Sequence, residues 1–276
     1  MRLAFVGDLV GQAGVEALLH VLPYLQKQAH CDLVFANAEN AAGGLGLTPR
    51  IARRLLQSGV AALTLGNHAW DRPELAPWLP QEPRVLRPYN GAATWPGTSS
   101  YTCCCAGQKI RLYSLLGQVQ MRAVISPFLA LEEILKAEAE CEEKHLLILD
   151  IHAEATAEKA ALADMAKGIF SLVVGTHTHV QTADERILQG GTAFITDLGM
   201  TGVTDSVIGM DYAVARRRFL DAMPARYVLA KGDAWVQGVL VDLDEQGKAS
   251  AIQRFRLPGP RESDAISEVT TVEKAK

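Results

Sequence analysis

Two histidines two residues apart, His177 and His179, lie in the stretch Val174-Gly175-Thr176-His177-Thr178-His179-Val180, directly after an apolar run from Ile169 to Val174. The run reads as a buried strand that Gly175 ends. If the segment stays extended beyond it, both imidazoles point to the same side, a geometry that suits metal binding. His68 follows the run Ala61 to Leu65 and His152 follows Leu146 to Ile151, so four of the seven histidines close strand-like runs. Strand ends of α/β proteins are where ligand sites collect. His20, His30 and His145 lack this context and read as surface or helix residues. Asp8, Glu39, Asn40 and Asn67 also fall just after strand-like runs, so one edge of a single sheet would gather Asp8, Glu39, Asn40, Asn67, His152, His177 and His179.

Seven oxygen and nitrogen donors exceed the usual four of a structural zinc site. They fit two ions, with a carboxylate such as Glu39 as a bridge, and the lack of cysteine among them points to iron, manganese or zinc. Two metals about 3.5–4 Å apart can hold a hydroxide between them and clamp both oxygens of an in-line phosphoryl displacement. Asp8, Glu39 and that hydroxide would offset three of four positive charges, leaving a site that attracts phosphate. His68 adjoins Asn67, and neighbouring loop side chains diverge, so Asn67 can ligate while His68 faces substrate and protonates the leaving oxygen. Singly, Asp8 also reads as a helix cap, and Asn37, Asn40 and Asn67 as turn formers. Glu154, in His152-Ala-Glu-Ala-Thr156, reads as a capping or supporting group. The joint pattern is what argues for a two-metal centre.

The elements that must position these residues alternate. Strands are expected at Leu3 to Gly7, Cys31 to Ala36 and Ala61 to Leu65, with helices at Gln12 to Gln28, where Pro23 should kink or split the turn ladder, and from Thr48-Pro49 to Gln57. Such alternation predicts βαβ units and a parallel sheet. Residues 78–96 read as a long surface connection, Ser100 to Cys105 and Ile110 to Leu116 as an antiparallel hairpin, and Leu146 to Val174 as strand, helix and strand. Short strands around Gly190-Gly191 suggest a mixed second sheet packed on the first. The glycine-rich stretch from Asp197 to Asp211 reads as a mobile loop. A short helix at Tyr212 to Leu220 and two further strands complete a domain of residues 1–257, with a polar, frayed tail over residues 258–276.

The chain has 276 residues, of which 49% are hydrophobic, enough for a sizeable core. Its formal charge of −4 and lack of a long basic run argue against strong nucleic-acid binding. The first residues enter a strand pattern directly, no run approaches the length of a membrane span, and the five cysteines show no paired spacing, so a cytoplasmic protein is expected. A homo-oligomer is compatible with all of this.

Gly-Asn67-His68 and Gly-Thr-His177-Thr-His179 resemble the signatures of calcineurin-like metallophosphoesterases, which implies a four-layer αββα sandwich of two mixed sheets. The opening Asp8-Leu9-Val10 lacks the histidine usual in that class two residues after the aspartate, and Asn37-Ala-Glu39-Asn40 replaces its glycine-aspartate motif. Both departures, with Asp-Ile-His152-Ala-Glu154 and Asp197-Leu-Gly-Met-Thr-Gly202, resemble a narrower branch, the YmdB-like 2′,3′-cyclic-nucleotide 2′-phosphodiesterases, from Met1 to about Leu257. The resemblance implies that Asp8, Glu39, Asn40 and His179 hold one ion, that Glu39, Asn67, His152 and His177 hold the other, and that His68 donates the proton. It also implies iron, with manganese as a working substitute. The expected reaction opens 2′,3′-cyclic nucleotides to nucleoside 3′-phosphates by attack of a metal-bridging hydroxide. The alternatives are a phosphomonoesterase or nuclease using the same centre, and a nucleotide-sensing regulatory binding protein.

Overall fold

Central strands buried on both faces build two sheets that share a core. The computed structural model describes residues 1–224 and 226–260; the expected tail lies, from residue 261 on, outside the described residues. In the first sheet β1 (Arg2–Val6), β3 (Leu33–Asn37), β4 (Ala62–Thr64) and β5 (Val85–Leu86) pair in parallel. On the other side of β1 lie antiparallel β13 (Ala234–Leu243), then β12 (Met200–Val203) and β2 (Asp8–Leu9), with β14 (Ala249–Pro258) also paired to β13. The second sheet runs in the order β10 (Arg186–Leu188), β11 (Thr192–Ile195), β9 (Leu172–Thr176), β8 (Leu146–His152), β7 (Gln108–Leu116), β6 (Ser100–Cys105).

The period of two along each strand sorts side chains into three apolar layers. Leu3 and Phe5 of β1 meet Ile148 of β8 and Leu172 and Val174 of β9 between the sheets. Ala4 and Val6 turn the other way, onto α1 (Gly11–Lys27) and α2 (Pro49–Gln57). Leu147, Leu149 and Ile151 of β8 turn outward onto α3 (Pro127–Glu140) and α4 (Thr156–Ala166). Helices thus cover both outer faces, and the architecture is the expected αββα sandwich of two mixed sheets.

Several local expectations are corrected. Pro23 neither splits nor ends α1, which is continuous from Gly11 to Lys27. Pro23 sits on the exposed side, while Val15, Leu18, Val21, Leu22 and Leu25 are buried and hold the helix down on both sides of it. The connection over residues 78–96 is not wholly superficial, because β5 extends the first sheet with Val85 and Leu86 fully buried. Helix α3 carries no expectation from the sequence; Ala130, Leu131 and Ile134 fasten it. The stretch after Asp197 is not a loose loop at its start: β12 pairs with β2 and β13 and is buried throughout. His145 is not a surface residue, since its side chain is fully covered and hydrogen-bonds Glu138 at 3.1 Å.

Candidate metal centre

The candidate residues come together where the two sheets meet, not along the edge of one sheet as expected. The first sheet delivers Asp8 on β2, Glu39 and Asn40 after β3, and Asn67 and His68 after β4. The second delivers His152 as the last residue of β8, and His177 and His179 after β9. Gly66 permits the meeting, because a Cβ there would drive into the His152 ring and the Glu39 carboxylate.

Four donors converge on one point. His152 Nε2 lies 2.9 Å from Asn67 Oδ1, 2.9 Å from Glu39 Oε1 and 3.1 Å from His177 Nδ1. Glu39, His152 and His177 form a group able to hold a metal ion. The tautomer of His152 is set from beneath. Thr176 Oγ1 donates to Asp150 Oδ1 at 2.7 Å, so it accepts from His152 Nδ1 at 2.9 Å and leaves Nε2 for the centre. Asp150 is fully buried and is held further by Thr64 Oγ1 at 2.6 Å and Asn37 Nδ2 at 3.1 Å. Burial raises its pKa, against the pull of His152 and these donors.

Asp8, Asn40 and His179 make a looser set beside it. Asp8 does not cap α1, which starts without a side-chain cap; its Oδ2 instead accepts the His177 backbone N–H at 3.1 Å. Asn40 Nδ2 donates to the Gly44 carbonyl at 3.0 Å. The other oxygens of both residues, Asp8 Oδ1 and Asn40 Oδ1, are buried without a hydrogen-bond partner among the described residues. His179 Nδ1 meets the Ile208 carbonyl at 2.9 Å, which leaves Nε2 unengaged by that bond.

The histidine pair is not extended. His177 has φ 98° and His179 φ 66°, both in the left-handed region, so the rule of alternate side chains does not apply. Neighbouring groups hold this backbone: Asp197 Oδ2 accepts from Thr178 N at 3.1 Å, Thr178 Oγ1 at 2.7 Å and the Lys159 ammonium at 2.7 Å. Lys159 and Asp197 are both buried, and pairing with these extra bonds is what makes such burial tolerable. Strained backbone of this kind is characteristic of ligand sites.

The electrostatics demand positive charge. Burial raises the Asp8 carboxyl to about 6, despite His179 and His152 nearby. Burial also acts to raise Glu39, but the charge and hydrogen bond of His152, with help from His68, bring it down to about 2. Burial disfavours the His152 imidazolium, yet Glu39, Asp8 and Asp150 outweigh it and lift His152 to about 9. Burial and the His152 charge push His177 down to about 3. A proton on His152 answers the carboxylates here, and a dication would answer them more fully. Converging lone pairs and two orphaned buried oxygens fit cation binding by oxygen and nitrogen donors.

His68 stands apart from the donors. Its backbone N–H donates to Glu39 Oε2 at 3.1 Å, and its Nδ1 meets Asp71 Oδ2 at 2.8 Å, so Nε2 is the ring nitrogen free for a substrate. Sequence reasoning missed Asp71, Asp150 and Thr176. Asp150 carried a signal, since an acid in the otherwise apolar run Leu146 to Ile151 requires buried partners. Glu154, read as a supporting group, lies 3.2 Å from His177 Nε2.

The YmdB-like protein family matches residues 4–255. This chain belongs to the YmdB-like family. Among YmdB-like proteins, it is 41% identical to the 2′,3′-cyclic-nucleotide 2′-phosphodiesterase of Bacillus subtilis, over 92% of this chain and 96% of the relative. A solved structure of a Thermus thermophilus protein described as hypothetical matches with TM-score 0.87 and 37% identity, covering 94% of this chain and all of the other. A Mycoplasma pneumoniae structure described as a novel phosphatase matches with TM-score 0.86 and 31% identity, over 96% of each chain.

Proposed function

We propose that this chain is a metal-dependent phosphodiesterase that opens 2′,3′-cyclic nucleotides to nucleoside 3′-phosphates. The observation that carries the reading is the convergence of Glu39, Asn67, His152 and His177 beside the orphaned oxygens of Asp8 and Asn40, with His68 adjacent and outside the donor set. The cyclic-nucleotide substrate is supported by the name of the Bacillus subtilis relative.

In this reading Glu39, Asn67, His152 and His177 would hold one ion, and Asp8, Asn40 and His179, sharing Glu39, the other. When bound, such ions supply Lewis-acid charge for the phosphoryl oxygens and a nucleophilic water at neutral pH. The donor chemistry suits iron, with manganese or zinc as substitutes. The protein's own contribution to bond breaking is His68. Asp71 accepts from Nδ1 and fixes the ring, so that in the imidazolium form Nε2 would give its proton to the departing 2′-oxygen, and the 3′-ester bond is left intact. Asp150 and Thr176 hold His152 in the tautomer that binding requires. Among the described residues no helix is long and apolar enough to cross a membrane, and a small nucleotide in the cytoplasm is the substrate setting we favour.

A phosphomonoesterase is the second reading, favoured by the Mycoplasma pneumoniae relative described as a phosphatase. Metal content of protein purified without a metal-affinity tag, paired with release of 3′-phosphate from 2′,3′-cyclic AMP, tests the proposal. About two ions per chain with turnover is expected. Two ions with turnover of p-nitrophenyl phosphate alone would support the second reading, and a site that cannot be filled would overturn both.

A further inference from the structure

Two clefts meet at the donors, and they differ in size and chemistry. One, of about 240 Å³, carries Glu39, Asn40 and His179 and is bounded by Ile208 and Tyr227. The other, of about 490 Å³, has Asn67 and His68 in its wall together with Trp70, Trp95, Met121 and Arg122. Sites for drug-sized ligands run from about 300 to 1,000 Å³, a range that the second cleft falls within and the first falls short of.

The aromatic wall of the larger cleft is braced by packing. Trp95 packs edge-on against Trp70, with ring centroids 5.3 Å apart at 75°. Its other support is Gly91, where a Cβ would collide with the Trp95 ring. Met121 adds a polarisable apolar surface. Arg122 is exposed at the cleft and makes no hydrogen bond or ion pair among the described residues. An aromatic plane already held in place costs little to order when a base stacks on it, and stacking tolerates every base because each has a π-face. The leaving 2′-oxygen belongs to the ribose, so the nucleoside must extend from the proton donor into a neighbouring cleft; His68 borders both clefts, and the choice falls to the larger one because it alone of the two offers a pair of indole rings.

We propose that the cleft walled by Trp95, Trp70 and Met121 and edged by Arg122 holds the nucleoside of the substrate, with Trp95 as the surface on which the base stacks. The assignment rests on the cyclic-nucleotide reading above. It makes Trp95 and Arg122 specificity-determining residues and makes base preference broad.

Steady-state kinetics of the metal-loaded full-length protein test it, with 2′,3′-cyclic AMP compared against ethylene phosphate, a five-membered cyclic phosphodiester without sugar or base. Trp95→Ala is expected to raise KM for the nucleotide so that its kcat/KM falls about 5- to 150-fold more than that for ethylene phosphate, the range that one stacked base confers. Arg122→Ala, at an exposed side chain without bonds among the described residues, is expected to give a selective loss of about 2- to 5-fold, the size of an exposed cation–π contact. Equal losses on both substrates, unaltered nucleotide KM in both variants, or a selective loss in Tyr227→Ala instead would overturn the assignment. Wild-type protein that opens ethylene phosphate but not 2′,3′-cyclic AMP would instead overturn the nucleotide reading, and the cleft's occupant with it.

Discussion

The two halves of the candidate centre are built differently. Around His152, every donor touches another donor, and the ring is anchored through Thr176 to the buried carboxylate of Asp150. Around Asp8, the donors are fixed by backbone groups, the His177 amide and the Gly44 and Ile208 carbonyls, and two oxygens face no partner. The difference teaches that a binding site can be preorganised in two ways. One is by a network that also satisfies itself, and the other is by leaving acceptors unsatisfied at a cost that a ligand then removes.

Glu39 belongs to both halves in the proposed scheme, and its replacement should have the largest effect. Glu39→Ala is expected to drop metal content, measured by mass spectrometry of the purified protein, from about two ions per chain to below one and to abolish turnover. Retention of both ions would separate the halves and end the bridging role. His68→Ala should leave both halves filled while kcat falls by roughly 10²–10⁴-fold; a variant with normal kcat would remove His68 from the chemistry. Thr176→Val strips the anchor from His152 and should weaken one ion of the two by about 10–100-fold in a competitive chelator titration. Asn40→Ala should do the reverse, weakening only the other ion, and a matching loss of both in either variant would mean that the halves are one unit. The smallest effect is expected from Asp71→Asn. The pair is partly exposed, with Asp71 41% accessible, so kcat should fall only about 1.5- to 5-fold.

Much of this was legible in the chain and some was not, for definite physical reasons. Strand ends could be read because apolar runs stop where Asp8, Asn67 and His152 begin. That the donors come from two sheets could not be read, since the face-to-face packing of Phe5 and Phe35 on Ile148 and Leu172 depends on tertiary pairing. The conformation of His177 and His179 departs from the strand rule because the strand ends at Thr176, and the next three residues lie in backbone that Asp197 and Asp8 hold. Pro23 misled for the opposite reason, as burial on either side outweighs one missing donor. The supports Asp71 and Thr176 were invisible as supports, because a side chain's partner across the fold leaves no spacing signal.

Strand order has a consequence for how the protein comes into being. Asp8 sits on β2, which joins the first sheet only through β12 and β13. β13 ends at Leu243, more than two hundred residues after Asp8. A chain emerging from the ribosome therefore cannot fix the Asp8 half of the centre in the sheet until β13 has been synthesised, long after the donors around His152 are available. Such sequence-distant closure is slow, and refolding followed by metal uptake should show binding as the last event, after the sheets have formed.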